Sequence, residues 1–309
     1  MTALFNIAKL GFSLLALIAG LTACDSTPPY HKKDGQWFFE SRKLGVAATT
    51  PLTVLNPTFA RVGNQIFYRH DAIDGADSAT FVALNEYYGK DKSSAYFGDT
   101  YRESKDYFLV KKIRVLTISG ANAASFRALK DSYAADAMRP YYEGKPFAVR
   151  DVASFEVLDY GFSRDRVRGY SVRVEIVGSD GGSFTVLDPD YAKDAVHAYY
   201  AYLDTQAISG RTQPVVATLV DADVKSFVGK TGGYAADAKR LYFKGRAISN
   251  SPATFERLSL SYAKTATEVF YDGVKVLDAD PASFKVLQPA DERADAADAK
   301  GRYLNGKRI

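Results

Sequence analysis

The chain has 309 residues, of which 47% are hydrophobic and 25% are charged, so it can bury a core beneath a water-soluble surface. The formal net charge is only +4 and no run of five or six basic residues occurs, which argues against nucleic acid as a partner. With a single cysteine, Cys24, internal disulfides and zinc sites built from cysteines are excluded, and no cofactor or metal is expected.

Residues 1–23 are predicted to be a signal peptide. Lys9 supplies the positive charge, and the apolar stretch from Leu10 to Leu21 is shorter than the roughly 18–20 residues that span a bilayer. The following Leu21-Thr22-Ala23-Cys24 resembles the bacterial lipobox. That resemblance implies a diacylglycerol on the Cys24 sulfur, cleavage before Cys24 and acylation of the new amine. The alternative is an ordinary secretory signal with a chance cysteine.

Residues 24–36 are predicted to be the lipidated N-terminus and a tether, because they are polar and contain prolines and lysines. Two or three acyl chains anchor a protein durably, so the chain is expected on a membrane of the bacterial cell envelope, facing the periplasm. Asp25 resembles the signal that retains lipoproteins in the inner membrane. Sorting rules differ between lineages, so the inner membrane is favoured and the outer membrane stays open.

Residues 37–309 form a predicted repeat domain. Its pattern is Tyr-Ala-x-Asp, four residues, two aromatics, a turn with Gly, and then Ser/Thr-Phe-x-x-Leu, as in Tyr133–Leu158. One phenylalanine marks equivalent positions at Phe126, Phe155, Phe184, Phe227, Phe255 and Phe284. An aspartate marks another position at Asp91, Asp136, Asp165, Asp194 and Asp237, with Thr265 replacing it later. About eight units and a terminal half-unit are expected.

The pattern resembles the DKNYY family of bacterial repeat proteins, many of them predicted lipoproteins. The resemblance rests on Tyr87-Tyr88-Gly89-Lys90-Asp91-Lys92 with Tyr96-Phe97, and on Tyr191-Ala192-Lys193-Asp194 with Tyr199-Tyr200. It implies an architecture only, since the family supplies no activity or site residues to carry over.

The expected fold is mainly β, an array of ~29-residue hairpin repeats with single-turn helices. Tyr141-Tyr142 followed by Glu143-Gly144-Lys145 predicts strand, tight turn, strand, and a third strand begins near Val157. Units this small must stack on their neighbours, which favours a solenoid-like array over the alternative, a closed propeller-like ring. The recurring Asp is predicted to accept hydrogen bonds from turn amides rather than to bind calcium.

Two units are longer than the others, around Tyr101–Val115 and around Tyr202–Leu219, and both extra segments alternate like β-strands. Insertions in repeat proteins often lie on a binding face, whereas the alternative is a tolerated surface loop. In the first segment, Lys105, Lys111, Lys112 and Arg114 are predicted to form a basic face.

No catalytic residues are apparent, and the protein is predicted not to be an enzyme. His31, His70 and His197 lie in different units, and the Gly-rich stretch 178–183 occupies a linker position of its repeat. The expected function is a non-catalytic envelope lipoprotein that presents a scaffold or binding surface to an envelope protein or glycan. The alternatives are a module that binds glycan or peptidoglycan through exposed tyrosines, and a hydrolase whose site is assembled across repeats.

Overall fold

The computed structural model describes residues 28–102, 111–205, 212–291 and 293–309. Within these ranges the chain forms nine small antiparallel sheets, each built from consecutive strands that follow one another in chain order. The first sheet has three strands and each of the others has four. The predicted mainly β repeat array is therefore confirmed. We refer to the sheets, with the loops that precede them, as units 1 to 9.

The first three units contain strands of two to seven residues. Unit 1 comprises β1 (Tyr30–Lys33), β2 (Gln36–Phe39) and β3 (Arg42–Ala47). Unit 2 comprises β4 (Leu52–Val54), β5 (Phe59–Val62), β6 (Gln65–Tyr68) and β7 (Asp71–Ala72). Unit 3 comprises β8 (Val82–Ala83), β9 (Tyr88–Lys90), β10 (Ala95–Tyr101) and β11 (Lys112–Thr117).

Units 4 to 6 follow the same order of strands. Unit 4 comprises β12 (Arg127–Ala128), β13 (Tyr133–Ala135), β14 (Pro140–Tyr142) and β15 (Lys145–Pro146). Unit 5 comprises β16 (Glu156–Val157), β17 (Phe162–Arg164), β18 (Gly169–Ser171) and β19 (Val174–Glu175). Unit 6 comprises β20 (Thr185–Val186), β21 (Tyr191–Lys193), β22 (Ala198–Thr205) and β23 (Thr212–Leu219).

Units 7 to 9 complete the array. Unit 7 comprises β24 (Val228–Gly229), β25 (Tyr234–Ala236), β26 (Leu241–Phe243) and β27 (Arg246–Ser249). Unit 8 comprises β28 (Glu256–Arg257), β29 (Tyr262–Lys264), β30 (Val269–Tyr271) and β31 (Val274–Lys275). Unit 9 comprises β32 (Lys285–Asp291), β33 (Ala294–Asp298), β34 (Gly301–Leu304) and β35 (Lys307–Arg308).

Three sequence-based details are corrected. A unit has four strands rather than three, because the Tyr-Ala-x segment is itself a strand (β13 in unit 4), and the expected terminal half-unit is the full sheet of unit 9. Single-turn helices form at Val152–Ser154 and Pro252–Thr254, but the equivalent residues 281–283 form a hydrogen-bonded turn. The first strand lies inside the segment 24–36 that was assigned to the tether.

Aromatic rings packed between neighbouring units form the core. Phe126 is buried between Tyr88 of unit 3 and Tyr141 of its own unit, with ring centroids 5.7 and 5.4 Å away. Phe284 lies in the same way between Tyr262 and Tyr303, at 5.3 Å from each. The predicted phenylalanine positions are confirmed as core, although Phe255 is only partly buried. Since each ring contacts two units, a unit completes its core only against its neighbour.

The tight turn between the last two strands of a unit packs closely on the preceding unit. Gly245 has a φ of +77°, and a Cβ built there would lie 2.9 Å from the Tyr200 ring of unit 6. A side chain at this position would therefore meet both backbone strain and a steric clash. The glycine allows the second ring of an aromatic pair to rest against the next turn.

Candidate functional site

The recurring aspartate is a buried carboxylate that four donors surround. In unit 4, Oδ1 of Asp136 accepts hydrogen bonds from the amides of Met138 and Arg139, at 2.8 and 2.9 Å. Oδ2 accepts from the amide of Asn122 at 2.9 Å and from the hydroxyl of Tyr141 at 2.7 Å. Asp136 thus ties the turn, the incoming loop and the core tyrosine together. The predicted role of this aspartate in binding turn amides is confirmed.

The same arrangement recurs in five other units, and the tyrosine always follows the aspartate by five residues. The remaining pairs are Asp91–Tyr96, Asp165–Tyr170, Asp194–Tyr199, Asp237–Tyr242 and Asp298–Tyr303, with hydroxyl–carboxylate distances of 2.6–2.8 Å. Asp298 was not among the residues singled out from the sequence. The three other units lack both partners, and their strand registers place Lys33–Phe38, Val62–Phe67 and Thr265–Phe270 at these positions.

This joint replacement has a physical cause. A buried tyrosine hydroxyl without an acceptor is costly, and so is a buried carboxylate that loses donors, whereas a phenylalanine needs neither. In unit 8, Oγ1 of Thr265 still accepts from the amides of Thr267 and Glu268, at 3.3 and 3.1 Å, while Phe270 is fully buried. Unit 8 therefore keeps the turn without the buried charge.

The network changes the protonation equilibria of both partners. Burial acts to raise the pKa of Asp136, but the hydrogen bonds from the Asn122 amide, the Tyr141 hydroxyl and the turn amides outweigh it and leave the pKa below its ordinary value. Burial and the bond to Asp237 raise the pKa of Tyr242 to about 12. Both shifts favour an ionised carboxylate with a neutral tyrosine. A carboxylate held ionised in this way by four donors is poorly suited to act as a general acid or base.

The tyrosine that begins the Tyr-Ala-x-Asp motif forms hydrogen bonds to the next unit. The Tyr88 hydroxyl donates to the carbonyl of Ser132 at 2.8 Å and accepts from the amide of Gly144 at 3.1 Å, and both groups belong to unit 4. Tyr191 makes the same two bonds to Gly233 and Gly245 of unit 7, each at 2.9 Å. Within the described residues these tyrosines are buried by packing and, Tyr234 aside, engaged in hydrogen bonds, so they do not form a periodic exposed face.

The long segment of unit 3 is an extended hairpin, here called the first hairpin. Strands β10 and β11 pair from Tyr96 to Tyr101, and Arg114 lies opposite Asp99. The Arg114 guanidinium donates twice to the Asp99 carboxylate, with Nε–Oδ1 at 2.9 Å, and its Nη2 is 3.7 Å from the Glu143 carboxylate in the turn of unit 4. Ionic contacts therefore cover the side of the first hairpin that faces unit 4.

The long segment of unit 6 is the second hairpin, formed by β22 and β23. Its register puts Tyr202 at the place of Asp99 and Val215 at the place of Arg114, while Lys244 replaces Glu143 in the following turn. The Tyr202 ring stacks on Tyr200, with centroids 5.5 Å apart and planes 22° apart. An open groove of about 740 Å³ lies beside it, and we call it the aromatic groove. It is lined by Tyr200, Tyr202, Phe243, Lys244, Arg246 and Asp272, among others.

A protein-family model described as the DKNYY family matches residues 24–100 and 162–307, well over half of the chain. The chain belongs to the DKNYY family. Searches of curated proteins and of solved structures return no match. The unmatched residues 101–161 contain unit 4, whose Asp136–Tyr141 pair follows the same geometry as its neighbours. The described part of the segment that the family model leaves out therefore contains a full unit with the geometry of the repeat.

Within the described residues of this DKNYY protein, the three histidines lie apart from one another and the Gly-rich stretch makes close backbone contacts. His31, His70 and His197 are partly buried in three separate units, and no group of three or more metal-ligating side chains occurs within the described residues. In the Gly-rich stretch, a Cβ on Gly181 would lie 2.0 Å from the Asp165 carbonyl oxygen, so this glycine permits a close backbone contact. The interpretation of 178–183 as a turn fits this geometry.

Two of the residues predicted from the sequence lie outside the described ranges. They are Cys24, the predicted lipid attachment site, and Lys105 of the expected basic face. Within that face, Arg114 is paired with acidic groups, which weakens its positive potential. No helix among the described residues is long and apolar enough to cross a membrane. The aromatic groove was missed from the sequence, because its walls come from turns about 40 and 70 residues after Tyr202.

Proposed function

We propose that this protein is a non-catalytic lipoprotein of the bacterial cell envelope. Lipid on Cys24 anchors it to a membrane, and the repeat array faces the periplasm as a scaffold and binding surface. The lipobox-like Leu21-Thr22-Ala23-Cys24 supports the anchor. Asp25 favours the inner membrane within this proposal.

The observation that carries the binding role is the contrast between repeated and unrepeated side chains. The repeated aspartates accept hydrogen bonds within their units, and the repeated tyrosines are buried, most of them with hydrogen bonds inside or between units. The two long hairpins depart from the repeat, and the second adds an exposed aromatic ring next to charged side chains that form no ion pair among the described residues. Departures of this kind from a regular array are where partner-specific contacts are expected.

The first test is the variant Cys24→Ser, expressed in a bacterial host. We expect the protein to leave the membrane fraction, because lipid is the proposed anchor and a single acylated cysteine carries it. Asp25→Ser serves as the matched control, since it keeps the cysteine and should stay with membranes. Fractionation after a high-salt wash measures both. A Cys24→Ser protein that remains membrane-bound contradicts the lipid anchor.

The second test concerns the binding surface. Chemical crosslinking and co-purification from native membranes should recover a partner with the lipidated protein. Pull-down on purified peptidoglycan separates a glycan partner from a protein partner, because a scaffold for proteins stays in the supernatant. A chain that crosslinks to nothing and binds no glycan contradicts the scaffold role.

A further inference from the structure

The aromatic groove combines a flat ring with charged side chains that form no ion pair among the described residues. Tyr202 is 42% exposed although one of its faces rests on Tyr200, so ring surface remains open to solvent. Phe243 is partly buried in the adjoining turn region, and the ammonium of Lys244 lies 5.1 Å from its ring centroid. The hairpin thus supplies one aromatic surface and the next unit supplies another.

Charges of both signs border these rings. Lys244, Arg246 and Asp272 are exposed, and none of them has an ion-pair partner among the described residues. In the first hairpin the corresponding space is crossed by Arg114, which pairs with Asp99 and approaches Glu143. The second hairpin has Tyr202 and Val215 instead, so its groove stays open and its cations stay available.

These features restrict the ligand. An acyl chain would cover the charged groups without pairing them, which costs more than the apolar contact contributes. A strand of phosphates would meet the carboxylate of Asp272. A pyranose ring suits the groove better, because its C–H face can rest on Tyr202 while its hydroxyls donate to Asp272. A carboxylate on the sugar would accept hydrogen bonds from Lys244 and Arg246.

We propose that the aromatic groove binds an acidic sugar of a cell-envelope glycan. This inference rests on the proposed function as a binding scaffold and names its ligand class. Tyr202 provides the stacking surface, Lys244 and Arg246 recognise the carboxylate, and Asp272 orients the ring through its hydroxyls. The groove volume of about 740 Å³ is sufficient for a short oligosaccharide.

The test uses the full-length protein purified in detergent and titrated calorimetrically with three probes. These are trigalacturonate, its carboxyl-reduced neutral counterpart, and triglutamate. Trigalacturonate should bind, the neutral trisaccharide should bind roughly tenfold more weakly, and triglutamate should not bind measurably, because it has charge without a sugar ring. Equal binding of triglutamate, or no binding of trigalacturonate, overturns the proposal.

Variants assign the roles within the groove. Tyr202→Ala should weaken trigalacturonate binding roughly tenfold or more, as loss of aromatic stacking does elsewhere. Tyr160→Asn is the matched control, since Tyr160 is a 63%-exposed ring in unit 5 with a φ of 55°, which asparagine tolerates. The double variant Lys244→Asn and Arg246→Gln should abolish the preference for the acidic probe. Unchanged affinity in Tyr202→Ala overturns the assignment.

Failure of this inference is distinguishable from failure of the proposed function. The membrane anchor is tested by measuring how much of the Cys24→Ser protein stays with membranes, and this measurement does not involve the groove. A protein that is lipid-anchored and crosslinks to an envelope protein, yet binds none of the sugars, leaves the scaffold role intact and rejects the glycan ligand. Melting temperatures of the variants confirm that each one is folded.

Discussion

Units 4 and 8 have the same four-stranded plan but stabilise it in different ways. Unit 4 buries the Asp136 carboxylate with the Tyr141 hydroxyl, whereas unit 8 has Thr265 and Phe270 at the same places. The phenylalanine of the loop also differs, since Phe126 is 2% exposed and Phe255 is only partly buried. The comparison shows that the repeat tolerates loss of its polar centre when the whole pair is replaced by uncharged groups.

The largest expected loss of stability comes from truncating the core phenylalanine, and it should differ between units 4 and 8. Phe126→Ala should destabilise the array by about 3–5 kcal/mol, because its ring contacts both Tyr88 and Tyr141. Phe255→Ala should cost less, about 2 kcal/mol, because part of its ring is already in contact with water. Amide exchange of the strands flanking each position measures the local free energy of opening. Equal losses at the two positions would mean that the difference in burial has no energetic consequence.

The second prediction concerns the polar centre itself. Asp136→Thr should destabilise unit 4 by about 3 kcal/mol, because the Asn122 amide and the Tyr141 hydroxyl lose their acceptor. Adding Tyr141→Phe to this variant should recover about 1 kcal/mol, although the same change alone is destabilising. A double-mutant cycle from chemical denaturation measures this coupling. Additive effects would contradict the interpretation that the two residues are exchanged as a pair.

The smallest effect is expected in acid. The pKa of Asp136 is lowered in the folded protein, whereas an unfolded aspartate titrates near ~3.9. The ionised carboxylate therefore stabilises unit 4 above that pH, and this contribution is lost as the pH falls through the lower folded pKa. Amide protection of Met138, corrected for intrinsic exchange, should stay constant above about pH 5 and drop as the pH falls below about 4. That of Thr267 in unit 8 should drop less, because its acceptor is the Thr265 hydroxyl.

Much of the fold follows from the sequence because each unit presents the same local chemistry. The position of Phe126, the turn at Gly144 and the role of Asp136 were all predictable from spacing alone. The strand Tyr133–Ala135 was not, because three residues including two alanines carry little β propensity. A five-residue spacing between aspartate and tyrosine, lost jointly at Thr265 and Phe270, was a signal that could have revealed the pairing.

The candidate site was less predictable. The exceptional length of the second hairpin is visible in the sequence, and its described strands β22 and β23 confirm that the extra residues extend a hairpin. The groove itself depends on which turns lie beside Tyr202. Lys244 and Asp272 reach it from the two following units, and only the stacking of those units brings them there. Long-range packing of this kind leaves no local pattern in the sequence.

The hydrogen bonds of Tyr88 also make one unit depend on the unit that follows it in the chain. Among the described residues its hydroxyl bonds to Ser132 and Gly144, which lie later in the chain. Unit 3 is therefore complete only when the chain has folded as far as Gly144, 56 residues beyond Tyr88. Until then a polar hydroxyl and an aromatic surface of unit 3 stay exposed to solvent. A chain that is cut after unit 3 would keep this surface open, so the array protects each unit with the one that follows it.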